Sequence, residues 1–285
     1  MKLHDTISIS LLLAFIADEV TGYQMETWVY MWTLATLMLA NFKWLTWIHH
    51  PVGNSSTKNA PTYLLGWIGM DPTPFRSKAS QCINKKNEIL RGGTLNFLVG
   101  VLLLHASGHI PNQYWLLQGW VACAGIIFVL HFGLLKINAW VLRCRGFDVE
   151  PIMKFPAATR KISEFWGGRW NKAFNQLDYP FVYTPLKRKL GPSYGLFITF
   201  LLSGLIHEIV ISLPAKAGWG LPTLYFLIQA LGMLAERTKI YRKLNQTAKQ
   251  VFTYGIIAGP AFILFHPPFM KTVILPFVQT LGVGV

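Results

Sequence analysis

Charged residues are scarce in this chain of 285 residues, with only 12 Asp and Glu against 26 Lys and Arg. Together they make up 13% of the sequence, whereas a soluble globular domain usually carries about 25%. Cysteine is also rare, because only Cys82, Cys123 and Cys144 occur and none of them has C-x-x-C spacing. These shortages exclude an ordinary soluble domain, a disulfide framework and a zinc knuckle.

Apolar runs dominate the sequence instead. The chain is 52% hydrophobic with a mean hydropathy of +0.37, and it contains 11 Trp, 10 Tyr and 19 Phe, which suits the aromatic belts of a membrane protein. We therefore expect an all-α, polytopic integral membrane protein with about eight transmembrane helices plus interfacial helices. We expect residues 1–285 to form a single membrane-embedded domain. The apolar runs are Ile7–Ile16, Trp28–Ile48, Leu95–Ala106, Tyr114–Leu135, Tyr194–Leu213, Leu221–Leu234, Val251–Phe265 and Met270–Leu281.

The net charge of +14 is concentrated between these runs. Eleven basic residues lie between Lys136 and Lys189, whereas the turns of two predicted hairpins carry almost no charge. The positive-inside rule then places the basic connections and both termini on the cytoplasmic side. We interpret the basic residues as contacts with anionic lipid head groups and exclude nucleic acid as a partner. The expected location is the endoplasmic reticulum in a eukaryote or the inner membrane in a bacterium.

The run Tyr194–Leu213 contains only two ionisable side chains, His207 and Glu208. An ionisable group at that depth costs on the order of 2.5–3.5 kcal/mol, so it usually faces a protein interior or a wet cavity and has a function. Ser203 and Gly204 come just before the pair and leave room for another helix or a ligand to approach closely. This stretch is the first candidate site.

A second informative stretch is SEFWGGRWNKAFN, residues 163–175. Ser163 is placed to cap a helix, and Trp166, Trp170 and Phe174 then fall on one helical face, which predicts an amphipathic helix lying at the membrane interface. The Gly167–Gly168 pair weakens this helix and suggests a bend or a close contact. The next residue after Trp170 is Asn171, a side chain able to donate a hydrogen bond to a developing oxyanion.

Metal chemistry has little support in the sequence. His207 and Glu208 begin an H-E-x-x-H motif, but Ile211 stands where the second histidine is needed. His105 and His109 have the i, i+4 spacing of a metal pair without an evident third ligand. We therefore expect no metal site.

The residues themselves favour acyl transfer. A histidine has an ordinary pKa of about 6.5, so His207 suits a general base that takes a proton from a hydroxyl. Asn171 can hold an oxygen on which charge develops. Basic side chains near these two are able to receive the phosphates of a coenzyme A thioester, and they are Arg169, Lys172, Lys187, Arg188 and Lys189.

Four motifs together resemble the wax synthase-like branch of the membrane-bound O-acyltransferases. They are F-W-G-x-R-W followed by Asn (Phe165–Asn171), S-G-L-I-H-E (Ser203–Glu208), G-M-D-P (Gly69–Pro72) and F-H-P-P-F (Phe265–Phe269). The similarity runs from about Leu64 to the C-terminus. One departure is Gly168, which stands where the usual motif has a second Arg.

This resemblance implies transfer of an acyl group from acyl-CoA to the hydroxyl of a lipophilic alcohol. By it, His207 and Asn171 are the catalytic residues, acyl-CoA is a co-substrate, and no cofactor is bound permanently. The implied partners are acyl-CoA, the alcohol and membrane lipids. The candidate substrate-binding residues are Trp166, Arg169, Trp170, Ser203 and Glu208.

Three alternatives remain at this point. The acceptor is a sterol or a secondary metabolite, with an acetyl group transferred instead of a long acyl chain. In a different class, the protein is a proton-coupled membrane carrier in which His207 and Glu208 form a relay. The last alternative is a catalytically silent relative that acts as a scaffold.

Overall fold

The structure, a computed structural model, describes residues 25–50, 58–76, 86–154 and 159–283. Within these ranges the regular elements are all helices and there is no strand, which confirms the all-α prediction. Several helices pass through short 3₁₀ or π-helical turns. Their bounds, in chain order, are Thr27–His49, Ala60–Gly66, Thr73–Arg76, Lys86–Gly108, Asn112–Tyr114, Trp115–Ile127, Phe128–Leu134, Leu135–Cys144, Ile162–Glu164, Phe165–Arg169, Lys172–Asp178, Tyr179–Tyr183, Thr184–Leu190, Pro192–His207, Glu208–Ser212, Leu213–Ala215, Leu221–Ala235, Lys239–Lys243, Gln246–Ala258, Ala261–Leu264, Pro267–Phe269, Met270–Ile274 and Leu275–Thr280.

Three continuous helices in the described ranges are long and apolar enough to cross a membrane, namely Asn87–Gly108, Asn112–Cys144 and Pro192–Ala215. A fourth span results if Gln246–Leu264 and Pro267–Thr280, which are bent by 59° at their junction, count as one. The expected number of about eight therefore stays a prediction. The proposed first helix, Ile7–Ile16, lies outside the described residues.

The described chain divides into two compact units. The first contains most of Thr33–Lys154, and the second contains Glu26–Trp32 and the described part of Phe155–Phe277. The candidate catalytic residues His207 and Asn171 both belong to the second unit.

The first unit is built on the helical hairpin predicted from its apolar runs. The two helices approach closely at Gly100, where an added Cβ would lie 2.5 Å from the backbone nitrogen of Val129. Gly125 packs against Leu104 in the same way, as expected where small residues let membrane helices touch. The second helix of the hairpin runs to Cys144, nine residues beyond the apolar run that predicted it.

A buried lysine holds the G-M-D-P motif in the first unit. Lys43 is 1% exposed, and its Nζ donates to the carbonyl oxygen of Gly69 at 2.7 Å. The same nitrogen lies 3.0 Å from the centroid of the Tyr63 ring, so the aromatic face covers it. The G-M-D-P motif is therefore fixed within the first unit by a buried hydrogen bond from Lys43.

The second unit is built on two neighbouring helices. We call Pro192–Ala215 the histidine helix and Leu221–Ala235 the return helix. A Cβ added to Gly204 of the histidine helix would lie 2.7 Å from the Cα of Thr223 on the return helix. The absence of a side chain at residue 204 is therefore what allows the two backbones to come together.

The amphipathic helix predicted for residues 163–175 is interrupted just after the Gly167–Gly168 pair, so the three aromatic residues do not share one helical face. A short helix, Ile162–Glu164, enters a π-helical turn, and the chain is then extended at Trp170 (φ −99°, ψ 125°). The next helix begins only at Lys172. Gly167 and Gly168 weaken helical structure here. The expected Ser163 cap is also wrong, because Glu236 of the second unit accepts the backbone N–H groups at this helix start.

Candidate functional site

His207 ends the regular part of the histidine helix and is followed by the π-helical turn Glu208–Ser212. Such turns change the direction of neighbouring side chains and occur often at functional sites. The imidazole is half-buried beside two aromatic rings, with centroids 4.4 Å from Phe226 and 5.9 Å from Phe174. The ring is therefore confined between the return helix and the helix that follows Asn171.

The hydrogen bond made by His207 fixes its tautomer. Its Nδ1 lies 2.7 Å from the carbonyl oxygen of Ser203, and a carbonyl oxygen can only accept. Nδ1 therefore carries the proton and donates it to this bond. In the neutral ring the lone pair is then on Nε2, which is the nitrogen able to take a proton from a substrate.

Ser203 links the histidine helix to the segment that carries Asn171. Its Oγ donates to Oδ2 of Asp178 at 3.1 Å. Asp178 is the last residue of the helix Lys172–Asp178 and lies outside the membrane-spanning helices. Burial raises the pKa of its carboxyl to about 7, and the hydrogen bond from Ser203 acts in the opposite direction.

Asn171 has a left-handed backbone conformation, with φ 43° and ψ 62°. Asn tolerates this region better than most residues, and such conformations occur at sites where the surrounding structure holds them. The carbonyl oxygen of Asn171 accepts from the N–H of Phe174 at 3.0 Å. Since the Phe174 ring faces His207, the helix after Asn171 is tied to the histidine helix at two places, Phe174 and Asp178.

Trp166 lies within an aromatic cluster rather than on a surface stripe. Its ring centroid is 5.5 Å from Phe226 and 5.8 Å from Phe200. Its Nε1 donates to Oε1 of Gln229 at 3.3 Å, and Gln229, which is fully buried, donates onward to the carbonyl oxygen of Ile256 at 2.6 Å. These bonds fix the orientation of an apolar wall that continues to His207 through Phe226.

Glu208 binds the start of the return helix. Its Oε1 accepts from the backbone N–H of Thr223 at 3.0 Å and from the Thr223 hydroxyl at 2.8 Å. A carboxylate at this place satisfies N–H groups that have no partner within the helix and matches the positive end of the helix dipole. These contacts describe a helix-to-helix link, and a substrate contact by Glu208 stays a prediction.

Arg169 and Trp170 are engaged by neighbouring residues. The Nε and Nη2 atoms of Arg169 each lie 2.7 Å from Oε1 of Glu164. The backbone N–H of Arg160 and then the Arg169 guanidinium hold the pKa of Glu164 below its usual range. The Trp170 ring stacks on Phe165 with centroids 5.4 Å apart. Substrate contacts by Arg169 and Trp170 also remain predictions.

His105 and His109, the pair considered for metal binding, are exposed and lie in the first unit. Their Nε2 atoms are 3.1 Å apart. In the described part of the chain, no group of three or more His, Cys, Asp or Glu side chains is placed to hold a metal ion.

Sequence reasoning did not find Asp178, Thr223, Phe226 or Gln229. Each acts through a partner distant in sequence, as Asp178 does with Ser203, 25 residues away. The only signal was that Asp178 and Gln229 are polar residues within largely apolar surroundings, since buried polar groups normally have hydrogen-bond partners.

The comparison with known families identifies the class to which this site is similar. The model of the "Membrane bound O-acyl transferase family" matches residues 149–228, which include Asn171 and His207. The resemblance to that superfamily, stated on four motifs, is confirmed.

Individual relatives narrow the similarity to the wax synthase-like branch. "Probable long-chain-alcohol O-fatty-acyltransferase 6" of Arabidopsis thaliana is 27% identical over 60% of this chain and 48% of its own length. "Probable long-chain-alcohol O-fatty-acyltransferase 7" is 29% identical over 60% of this chain and 55% of its own. "Acyl-CoA--sterol O-acyltransferase 1" from the same plant is 29% identical over 51% and 46%. The chain thus spans about half the length of these curated relatives. No solved structure matches it.

Proposed function

We propose that this protein is a membrane O-acyltransferase that transfers a fatty acyl group from acyl-CoA to the hydroxyl of a long-chain alcohol. The observation that carries the proposal is the bond from Nδ1 of His207 to the Ser203 carbonyl, which leaves Nε2 as the proton acceptor. This geometry lies within the residues matched by the acyltransferase family. The names of the relatives support the choice of a long-chain alcohol as acceptor.

The proposed reaction is a single displacement. Nε2 of His207 takes the proton from the alcohol hydroxyl as its oxygen attacks the thioester carbonyl carbon. The new C–O bond forms, the C–S bond breaks, and the coenzyme A thiolate recovers the proton from His207. The ester and free coenzyme A are the products, so no oxidant or further reactant is needed.

The other site residues have supporting parts in this proposal. Asn171 donates a hydrogen bond to the acyl carbonyl oxygen as negative charge develops on it. The aromatic cluster of Trp166, Phe200 and Phe226 supplies an apolar wall for the hydrocarbon chains. Arg169 contributes positive charge for the coenzyme A phosphates in addition to its pair with Glu164.

The test is acyl transfer in membranes that contain the wild type or His207→Ala. Radiolabelled palmitoyl-CoA and acetyl-CoA are offered with a pool of long-chain alcohols and sterols. Ester formation should fall by at least about a hundredfold in the variant, as expected for loss of a general base. His109→Ala, which removes an exposed histidine of the first unit, is the matched control and should retain full activity.

The same assay separates the alternatives. Label in a sterol ester would favour the sterol acceptor, an outcome motivated by the similarity to a plant sterol acyltransferase. If the wild type forms no ester from any donor, or a folded His207→Ala protein forms it equally well, the acyltransferase proposal is wrong. Substrate uptake driven by a pH gradient would then support the carrier.

A further inference from the structure

The connection that follows the return helix concentrates positive charge. Residues 236–249 contain five basic residues and one acidic residue, Glu236. We call residues 237–243 the basic turn. Its four cations are exposed, and within the described ranges none of them forms an ion pair with a carboxylate. They are Arg237, Lys239, Arg242 and Lys243.

The basic turn has a defined local structure. The Thr238 hydroxyl donates to the carbonyl oxygen of Ala235 at 2.8 Å and accepts from the backbone N–H of Tyr241 at 3.2 Å. It thereby caps the short helix Lys239–Lys243. The Tyr241 side chain is 5% exposed, and its ring centroid lies 5.4 Å from that of Phe252. Tyr241 therefore anchors the turn from the protein side, while the four cations remain outside.

Exposed apolar side chains on both sides of the basic turn place it at the level of lipid head groups. Leu231 and Val251, on the two helices that the connection joins, are 57% and 67% exposed. Six helical residues, from 231 to 237, rise about 9 Å, and the head-group layer of a bilayer is about 5–8 Å thick. Ile240, within the turn, is 78% exposed among the cations. Exposed apolar groups beside basic ones are typical of an element that lies in the membrane interface.

The connection that contains the basic turn also binds the start of the segment 163–175. Glu236, the residue before the turn, accepts from the first two backbone N–H groups of the helix Ile162–Glu164 at 2.5 and 3.2 Å. Beyond the turn, the fully buried Thr253 donates to the carbonyl oxygen of Arg160 at 3.3 Å. The chain is thus held on both sides of the turn where it enters the candidate site.

We propose that the basic turn binds the head groups of anionic phospholipids and so stabilises the start of the segment 163–175. The lipid phosphates lie against the four cations, and Ile240 enters the acyl layer beside them. Each basic residue close to an anionic membrane surface strengthens binding roughly fivefold. Because Glu236 directly precedes the turn, lipid that orders the turn also fixes the carboxylate that caps the helix Ile162–Glu164. This binding requires no step of the proposed acyl-transfer reaction.

Thermal unfolding in nanodiscs tests the lipid binding. Phosphatidylserine added to phosphatidylcholine discs should raise the melting temperature of the wild type by at least about 4 °C at low salt. The rise should disappear in a triple variant of the turn, which combines Arg237→Gln, Arg242→Gln and Lys243→Gln. A matched control loses the same charge at three exposed positions of the first unit and should keep most of the rise. It combines Arg91→Gln, Arg145→Gln and Lys154→Gln.

Two outcomes of this experiment would overturn the proposal. Equal losses in the two triple variants would show that only the net charge of the protein matters. Pyrophosphate in discs of pure phosphatidylcholine is the probe for a soluble ligand, and a rise as large as that from phosphatidylserine would assign the cations to such a ligand. Ile240→Ser, which leaves the charge unchanged, should reduce the rise, because it removes the apolar anchor.

Amide hydrogen exchange tests the link to the candidate site. The N–H groups of Ile162 and Ser163, which are bonded to Glu236, should exchange several-fold more slowly when phosphatidylserine is present, because local opening becomes rarer. The triple variant of the turn should show no such change. An unchanged rate in the wild type would refute the stabilisation of this segment by lipid. Neither measurement uses ester formation, so a wild type without acyl transfer would refute the proposed function and leave both tests valid.

Discussion

Replacing Gly204 with alanine tests how closely the two central helices must pack. The new Cβ would lie 2.7 Å from the Thr223 Cα, whereas carbon atoms in contact are about 3.5–4.0 Å apart. The helices must therefore separate by roughly 1 Å. The bonds from Thr223 to Glu208, now 3.0 and 2.8 Å long, would stretch towards 4 Å, beyond the range of about 2.7–3.2 Å for a good hydrogen bond.

The expected loss in the free energy of unfolding combines three contributions: overpacking, a lost hydrogen bond and a gain in helix propensity. Overpacking costs about 1–3 kcal/mol, and loss of a hydrogen bond to a charged group costs about 1.5–3 kcal/mol. Alanine recovers up to about 1 kcal/mol because it is a better helix former than glycine. We expect a net loss of about 2–4 kcal/mol in the free energy of unfolding, which lowers the melting temperature by roughly 5–10 °C.

The assay is thermal unfolding of the purified protein in detergent, followed by intrinsic tryptophan fluorescence. Gly167→Ala is the matched control, because a Cβ there meets no atom within 4 Å. Ester formation by Gly204→Ala should fall as well, since His207 and Glu208 move with the histidine helix. If Gly204→Ala is as stable as the wild type or more stable, helix propensity outweighs the close approach and our account of the packing is refuted.

Two further predictions concern the segment around Asn171. The raised pKa of Asp178, about 7 against 3.8 for the ordinary side chain, means that its ionisation opposes folding as the pH rises from about 4 to about 7. Asp178→Asn removes that ionisation, so its melting temperature should rise relative to the wild type between pH 5 and pH 8; a difference independent of pH would contradict this reasoning. Arg169→Gln should raise the KM for acyl-CoA about threefold at low salt, because Glu164 neutralises part of the guanidinium charge. Glu164→Gln leaves the Arg169 guanidinium without its carboxylate partner and should lower the KM for acyl-CoA. Equal increases of this KM in both variants would show that the ion pair affects acyl-CoA binding only through the local structure, which contradicts a direct role for the Arg169 charge.

The apolar runs predicted the long helices because their signal is local. Pro192–Ala215 and the hairpin of the first unit have the lengths and the low charge that a membrane span requires. Both length and charge are properties of consecutive residues, so the sequence alone provides them. In the segment 163–175 the helix is interrupted after the local Gly167–Gly168 pair, whereas the Ser163 cap was predicted wrongly because the helix start is capped by Glu236, a residue of another part of the chain. No local pattern announces such a partner.

The candidate site was found from types of residue and not from contacts. His207 is conspicuous as an ionisable side chain in an apolar run, so its sequence context alone pointed to it. Ser203 was noticed for its small size, whereas the structure gives its hydroxyl a bond to Asp178. A sequence pattern shows that a side chain is small or polar, but the group that it meets depends on how distant segments pack.

Ser203 acts on the site through two different groups, its backbone carbonyl and its side-chain hydroxyl. Its backbone carbonyl determines which nitrogen of His207 carries the proton, and its hydroxyl tethers the neighbouring segment through Asp178. Every amino acid supplies the carbonyl, but only a few supply the hydroxyl. Substitution at position 203 can therefore loosen or tighten the tether while the imidazole keeps its tautomer, so the Lys172–Asp178 helix can shift without changing which nitrogen of His207 carries the proton.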